Sequence, residues 1–86
     1  TCYSAVINLA VTQLRLAQFN DAEETAQRAL RIRPRDPTAN FALAAAQYAL
    51  NRLSPAAEAG LEKAARTLPA AEELLNAIEK ERLAAR

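Results

Sequence analysis

Apolar and small residues recur along the chain at intervals of three and four residues, which is the spacing of one face of an α-helix. In the first two segments they are Val6, Leu9, Ala10 and Leu14, and then Ala22, Ala26, Ala29 and Leu30. Glycine and aromatic residues are scarce, whereas alanine, the strongest helix former, is abundant. The pattern predicts an all-α fold with helices near 4–17, 21–33, 37–51, 55–67 and 70–85.

Three of these helices begin beside a residue that can cap the free N–H groups of the first turn. Asn20 is placed to cap the second helix, with Glu23 three positions later as in a capping box. In the other two the capping residue stands directly before a proline: Asp36 before Pro37, and Ser54 before Pro55. Proline suits the first helical position because no N–H is needed there. The start signals therefore agree with the periodicity.

The chain also contains an internal repeat with a period close to 34 residues, the length of a helical hairpin. The matched segments are Asn8-Leu9-Ala10 with Ala42-Leu43-Ala44, Ala22 with Ala57, Ala29-Leu30 with Ala64-Ala65, and Pro34 with Pro69. The later matches are offset by one residue more than the first, so we expect an extra residue in the second internal turn, around 50–54. Small residues recur at 10, 22 and 29 and again at 44, 57 and 64, where close helix crossings need them. We predict two antiparallel hairpins, about 3–36 and about 37–71, stacked on each other.

The last predicted helix, about 70–85, has a different pattern. It carries one apolar stripe, with charged residues on its other faces; the stripe is Leu74, Leu75, Ile78 and Leu83. One apolar and one charged face are what the exposed end of a helical stack requires, so we predict a capping helix. Residues 1–86 would then form one domain, or a fragment of a longer array, which the start at Thr1 rather than methionine favours.

These residues resemble the tetratricopeptide repeat (TPR), a family of stacked helical hairpins that bind other proteins. The first copy matches the pattern of large, small and proline positions at Val6, Leu9, Ala10, Phe19, Ala22, Ala29 and Pro34. The second matches at Leu43, Ala44, Ala57, Ala64 and Pro69, while Gln13, Ala26, Asn40 and Gln47 stand where the family has larger residues. The resemblance covers about four-fifths of the chain and implies a short right-handed α-solenoid of two TPR-like repeats plus a C-terminal capping helix.

In that family the first helix of each hairpin lines a concave groove that holds a peptide or a helix of a partner protein. Carried over by position, the resemblance places in this groove Ile7, Asn8, Val11, Arg15, Thr38, Phe41, Ala45 and Tyr48, with Ser4, Leu14, Ala42 and Ala49 on the same faces. Phe41 and Tyr48 would be the large contact residues. The alternative is that these two aromatic residues pack within the stack and that Asn8 and Arg15 are ordinary solvated groups.

A weaker resemblance concerns the TPR modules of large immunophilins and other co-chaperones, which hold the terminal carboxylate of a chaperone. If the first hairpin is the middle one of three, Asn8 occupies the position of their carboxylate-binding asparagine. Thr38 and Ala42 stand where that group has lysine and arginine. The resemblance therefore implies a scaffold or co-chaperone role without those paired cations.

Composition argues against several other classes of function. The net charge is +1, which provides no broad field for nucleic acid or membrane. The longest apolar run, 41–46, is far shorter than the roughly 20 residues of a membrane span, so we expect a soluble, cytoplasmic protein. With no histidine, one cysteine, no glycine-rich phosphate loop and no activated nucleophile, we expect no enzyme, no cofactor and no metal site.

Two alternative functions stay open at this point. Exposed apolar faces of the amino-terminal hairpin would allow two copies to form a homodimer. A cluster of arginines would allow contact with RNA or an acidic partner; the cluster is Arg28, Arg31, Arg33 and Arg35. The competing interpretation of the arginines is that most of them complement the dipole at the end of their helix and face solvent.

Overall fold

The structure, a computed structural model, describes residues 2–86, and within that range it contains five α-helices and no strand. The helices are α1 (Tyr3–Arg15), α2 (Phe19–Ile32), α3 (Pro37–Ala49), α4 (Pro55–Ala64) and α5 (Pro69–Ala84). The predicted all-α class and the predicted helix order are confirmed. None of the helices in the described range has both the length and the apolar character that crossing a bilayer demands.

Two of the three predicted caps are present. The Asp36 carboxylate accepts a hydrogen bond from the Ala39 N–H at 3.1 Å. The Ser54 hydroxyl oxygen accepts one from the Ala57 N–H, also at 3.1 Å. Each cap precedes a proline in the first helical position, as the sequence predicts.

The prediction that Asn20 caps α2 is wrong. The helix begins at Phe19, after Gln18, because the Ala22 N–H already donates to the Gln18 carbonyl at 2.8 Å. Asn20 therefore lies inside the first turn, and its side-chain oxygen accepts a hydrogen bond from Arg52 at 3.1 Å. The same guanidinium pairs with Glu23, so both residues of the expected capping box bind the turn before α4 instead.

The helices α1 and α3 end in the same left-handed turn. Ala17 and Asn51 each have φ of 58°, a conformation that cannot continue a right-handed helix. In α1 the turn is closed by hydrogen bonds from Gln18 N to Gln13 O at 2.8 Å and from Ala17 N to Leu14 O at 3.0 Å. The equivalent bonds in α3 join Arg52 N to Gln47 O at 2.9 Å and Asn51 N to Tyr48 O at 3.0 Å. This paired arrangement is a Schellman motif, and it ends both helices before the predicted positions 17 and 51.

Each helix packs against the next one along the chain, and α3 also contacts α1 and α5. Within residues 2–86 the remaining helix pairs, such as α1 with α5, do not pack together. α3 is therefore the central helix of a molecule that measures 44 × 25 × 19 Å. We refer to α1 and α2 as the first hairpin and to α3 and α4 as the second hairpin.

Alanine dominates the contacts between these helices. All six small positions predicted at helix crossings are buried: Ala10, Ala22, Ala29, Ala44, Ala57 and Ala64. One cluster of buried residues joins α3, α4 and α5 around Leu61, the largest fully buried side chain in the described range. The predicted apolar stripe of α5 is only partly used, because Ile78 is buried whereas Leu83 is exposed.

Candidate binding groove

A groove of about 520 Å³ opens beside α3, and we call it the α3 groove. Its floor is one face of α3, formed by Thr38, Phe41 and Ala45. Val11, Leu14 and Arg15 of α1, with Phe19 at the start of α2, form one side, and Leu68 and Ala70 at the start of α5 form the other. The groove exists because α3 separates α1 from α5.

The floor follows from helical spacing. Thr38, Phe41 and Ala45 are three and four residues apart, so their side chains share one face of α3. Phe41 also packs against the buried cluster shared by α3, α4 and α5, so its ring belongs both to the core and to the groove. Ala45, one turn further along, is half-buried and too small to fill the space between α1 and α5.

The groove has an apolar lining with a cation at its edge. Arg15, in the last turn of α1, is exposed and is the only charged lining residue among the described residues. Thr38 adds a hydroxyl, which donates and accepts hydrogen bonds. Such a surface fits an apolar side chain of a partner that carries an acidic group nearby.

Five of the eight predicted partner-binding residues line this groove: Val11, Arg15, Thr38, Phe41 and Ala45. Three lie elsewhere. Ile7 is half-buried against a core cluster of Val6, Ala29 and Ala39, and Asn8 is exposed on α1. Tyr48 lies beyond the carboxyl-terminal end of the groove floor.

Tyr48 connects α3 to α5. Its hydroxyl donates a hydrogen bond to the Glu81 carboxylate, and this bond, followed by burial, raises the pKa of Tyr48. The ring also packs against the core cluster shared by α3, α4 and α5. For Tyr48 the structure therefore favours packing within the helices over contact with a partner.

Four further residues were predicted on the groove-facing sides of α1 and α3, and the structure places only one of them in the groove. Leu14 lines the groove, whereas Ser4 and Ala49 are exposed outside it. The placement of Ala42 in the groove is wrong, because Ala42 is fully buried with Ala10 and Ala26 where α3 crosses the first hairpin. A fully buried methyl group has no surface left for a partner.

Sequence reasoning missed the side of the groove formed by Leu68 and Ala70. Leu68 directly precedes α5 and Ala70 lies in its first turn, whereas the groove positions carried over from the family lie on α1 and α3. Phe19 was recognised as a large position of the first hairpin but not as a groove residue. Phe19, Leu68 and Ala70 line the same groove only because of how α1 and α5 are placed on either side of α3. No local sequence pattern specifies that placement.

The structure separates the four clustered arginines. The Arg33 guanidinium carbon lies 4.4 Å from the centre of the Tyr3 ring, the geometry of a cation–π contact. Arg35 lines a different cavity, and Arg28 and Arg31 are exposed on α2. The cluster is therefore not one surface. In the described range, no three acidic or cysteine side chains come together as metal ligands would.

Comparisons of the chain with protein-family models, with curated proteins and with solved structures find no match. The resemblance to the TPR family consequently depends on the residue pattern alone. A functional hypothesis for this chain has to be argued from the groove itself and from the residues that line it.

Proposed function

We propose that this chain is a non-catalytic protein-interaction module that binds a segment of a partner protein in the α3 groove. The observation that carries the proposal is an apolar groove floored by Phe41 and Ala45 and edged by a single cation, Arg15. Extended peptides and amphipathic helices bind such surfaces by placing apolar side chains in the groove and polar ones at its rim.

The lining indicates the chemistry of the partner. An apolar side chain would lie over Ala45, between the two sides of the groove, and contact the Phe41 ring. An acidic residue of the same segment would pair with Arg15, whose guanidinium makes forked hydrogen bonds to carboxylates. We therefore propose a short segment with one bulky apolar residue and one acidic residue nearby.

We further propose that the fold is a right-handed stack of two TPR-like hairpins with α5 as its capping helix. The repeated left-handed turn supports this arrangement, because Ala17 and Asn51 occupy matching positions in the two hairpins. The contacts of α3 with both α1 and α5 also support it, since the first helices of successive hairpins adjoin in such stacks. In this arrangement the α3 groove is the concave surface.

The test uses synthetic peptides of about 15 residues, selected from a displayed random library against the full chain and measured by fluorescence anisotropy. Ala45→Leu fills the floor of the groove, and Arg15→Glu reverses its one charge. We expect each to weaken binding at least tenfold, which corresponds to about 1.4 kcal/mol. The selected peptides should be enriched in an apolar residue followed or preceded by an acidic one.

The matched controls are Ala49→Leu and Arg31→Glu, which make the same changes at exposed positions outside the groove. Both should leave binding within about twofold of the original chain. Circular dichroism verifies that every variant keeps its helices. Peptides that bind the Ala45→Leu variant as tightly as the original chain would exclude the α3 groove as the binding surface.

A second candidate function, self-assembly, is favoured by one specific observation. Leu9, Leu16 and Ile32 of the first hairpin are 44%, 62% and 49% exposed. In the second hairpin, Leu43 corresponds to Leu9 and Leu50 to Leu16, and both of these leucines are half-buried. Sedimentation velocity over a wide concentration range tests pairing through these exposed side chains, and a Leu16→Glu variant should shift any dimer to monomer.

A further inference from the structure

A second cavity of about 530 Å³ lies on a different face of α3 from the groove, between the α2–α3 connection and α4. Three cationic residues line it: Arg35 in that connection, Lys63 in the last turn of α4, and Arg66 in the turn after α4. We call it the cationic cavity. No acidic residue lines it within the part of the chain that the structure describes.

The neighbouring carboxylates are engaged elsewhere. Asp36 accepts hydrogen bonds from the Tyr3 hydroxyl at 2.8 Å and from the Ala39 N–H at 3.1 Å. Glu58 holds Arg82, and its hydrogen bond is the main cause of the raised pKa of that guanidinium, to which Glu62 adds a weaker contribution. Among residues 2–86 the ion pairs are Glu23 with Arg52 and Glu58 with Arg82, so none of the three cations of the cavity is held in an ion pair.

The base of the cavity is held in place by Asn40. Its amide nitrogen donates to the Pro34 carbonyl at 3.2 Å and to the Asp36 carbonyl at 3.0 Å, which fixes the connection that carries Arg35. The same side chain lies against Gly60 of α4, so closely that a Cβ on Gly60 would be 2.3 Å from Asn40 Oδ1. The backbone of the connection that carries Arg35 is therefore fixed before any ligand arrives.

We propose that the cationic cavity binds the phosphate group of a small organic phosphate ester. A phosphate monoester carries between one and two negative charges near neutral pH, and its oxygens match the forked N–H groups of arginine. A single carboxylate would leave most of the positive charge uncompensated. Pro34, Pro37 and Ala59 provide apolar contact for the organic part, and the volume is that of a small-molecule site. No aromatic residue of the described chain lines the cavity to stack a base, which disfavours nucleic acid.

The experiment titrates the full chain with phenyl phosphate, inorganic phosphate and benzenesulfonate, followed by amide chemical shifts. We expect saturable shifts at Gly60 and Lys63, with phenyl phosphate binding at least fivefold more tightly than the singly charged sulfonate of similar shape. Binding should strengthen from pH 5 to pH 7.5 because the second phosphate proton has a pKa of about 6. Inorganic phosphate binding as tightly as phenyl phosphate would overturn the assignment to an organic ester.

A triple variant, Arg35→Gln, Lys63→Gln and Arg66→Gln, should weaken phenyl phosphate binding at least tenfold. The matched control removes three exposed cations elsewhere, through Arg28→Gln, Arg31→Gln and Lys80→Gln, and should change binding less than about twofold. Equal losses in the two triple variants would show nonspecific charge attraction and overturn the proposal. The proposal would also be overturned if about 20 mM phenyl phosphate caused no chemical-shift changes at the cavity residues. A single-stranded RNA that binds more tightly than phenyl phosphate through the same residues would likewise overturn it.

Discussion

The turns of the two hairpins have the same backbone conformation but differ in whether a buried glutamine side chain finds a hydrogen-bond partner. Both contain a left-handed residue with φ of 58° and the same pair of closing hydrogen bonds. In the second turn Gln47 is 7% exposed, and its side-chain carbonyl oxygen accepts hydrogen bonds from the N–H and the hydroxyl of Ser54, each at 3.0 Å. In the first, the side-chain carbonyl of the matching Gln13 is buried with no partner within residues 2–86.

The lengths of the two turns explain this difference. Residues 50–54 separate α3 from α4, whereas only residues 16–18 separate α1 from α2. The longer connection brings Ser54 back over Gln47, so one residue caps α4 and satisfies the glutamine at once. The shorter connection enters α2 directly and brings no donor to Gln13. A repeated backbone can therefore carry very different local free energies, because these depend on side-chain pairing.

The largest expected effect comes from exchanging each glutamine for leucine. Gln47→Leu leaves the Ser54 N–H without its partner and should lower the free energy of unfolding by about 1–3 kcal/mol. Gln13→Leu removes a buried unpaired carbonyl and should raise the free energy of unfolding by about 1 kcal/mol. Urea denaturation of both variants measures these changes. Equal effects of the same sign would contradict the difference between the two turns.

A second expected effect concerns the crossing of α3 and α4. Gly60→Ala would place a methyl group 2.3 Å from Asn40 Oδ1 and displace the side chain that fixes the preceding connection. We expect the free energy of unfolding to fall by about 1 kcal/mol, although alanine has a better helix propensity than glycine. In an Asn40→Ala background the same change should instead stabilise by about 1 kcal/mol. A double-mutant cycle on thermal unfolding measures the coupling, and additive effects would argue against the close approach.

A smaller effect is expected at the two left-handed residues. Alanine in this conformation has a steric cost that asparagine largely avoids, so Ala17→Gly should stabilise the chain by about 0.5–1 kcal/mol. Asn51→Gly should change stability by less than about half of that. Thermal denaturation of the two variants compares them directly. A larger gain at Asn51 than at Ala17 would mean that the two turns differ in backbone conformation.

The smallest effect appears only in alkaline solution and compares Tyr3 with Tyr48. Burial, and next the hydrogen bond to Asp36, raises the pKa of Tyr3 from 10.0 to about 12. A raised pKa favours the protonated native state, so this contribution is complete below pH 10 and is lost between pH 10 and about 12. Tyr3→Phe should therefore reduce the fall in stability over that range more than Tyr48→Phe does. The change in the midpoint of urea unfolding between pH 8 and pH 10.5 measures this fall in stability for each variant.

Local sequence patterns were sufficient to predict the order of the helices and the starts of α3 and α4 at Pro37 and Pro55. Periodicity placed Ala10 and Ala44 in the interior, and the capping residues Asp36 and Ser54 act as predicted. These features depend on neighbours in sequence or on the helical repeat. The Asn20 prediction failed because the hydrogen bond from the Ala22 N–H to the Gln18 carbonyl starts the helix two residues earlier.

The candidate sites were less predictable, because they join residues that are distant in sequence. The α3 groove combines Val11 with Leu68, and the cationic cavity combines Arg35 with Lys63. The groove positions carried over from the family lie on the first helix of each hairpin, so they included the floor and the α1 side of the groove but not Leu68 and Ala70. Whether Tyr48 faced a partner or α5 depended on the position of Glu81, which the repeat pattern leaves open.

The contact order of this chain is low, because no described helix packs on another that is more than two places away in the sequence. Closing the short connections costs little chain entropy, so the molecule should fold quickly and could nucleate at either hairpin. α3 can pack first against the helices that precede it or against those that follow it, because it contacts both. The last helix, attached mainly through α4, should open and close many times while the remaining helices stay folded.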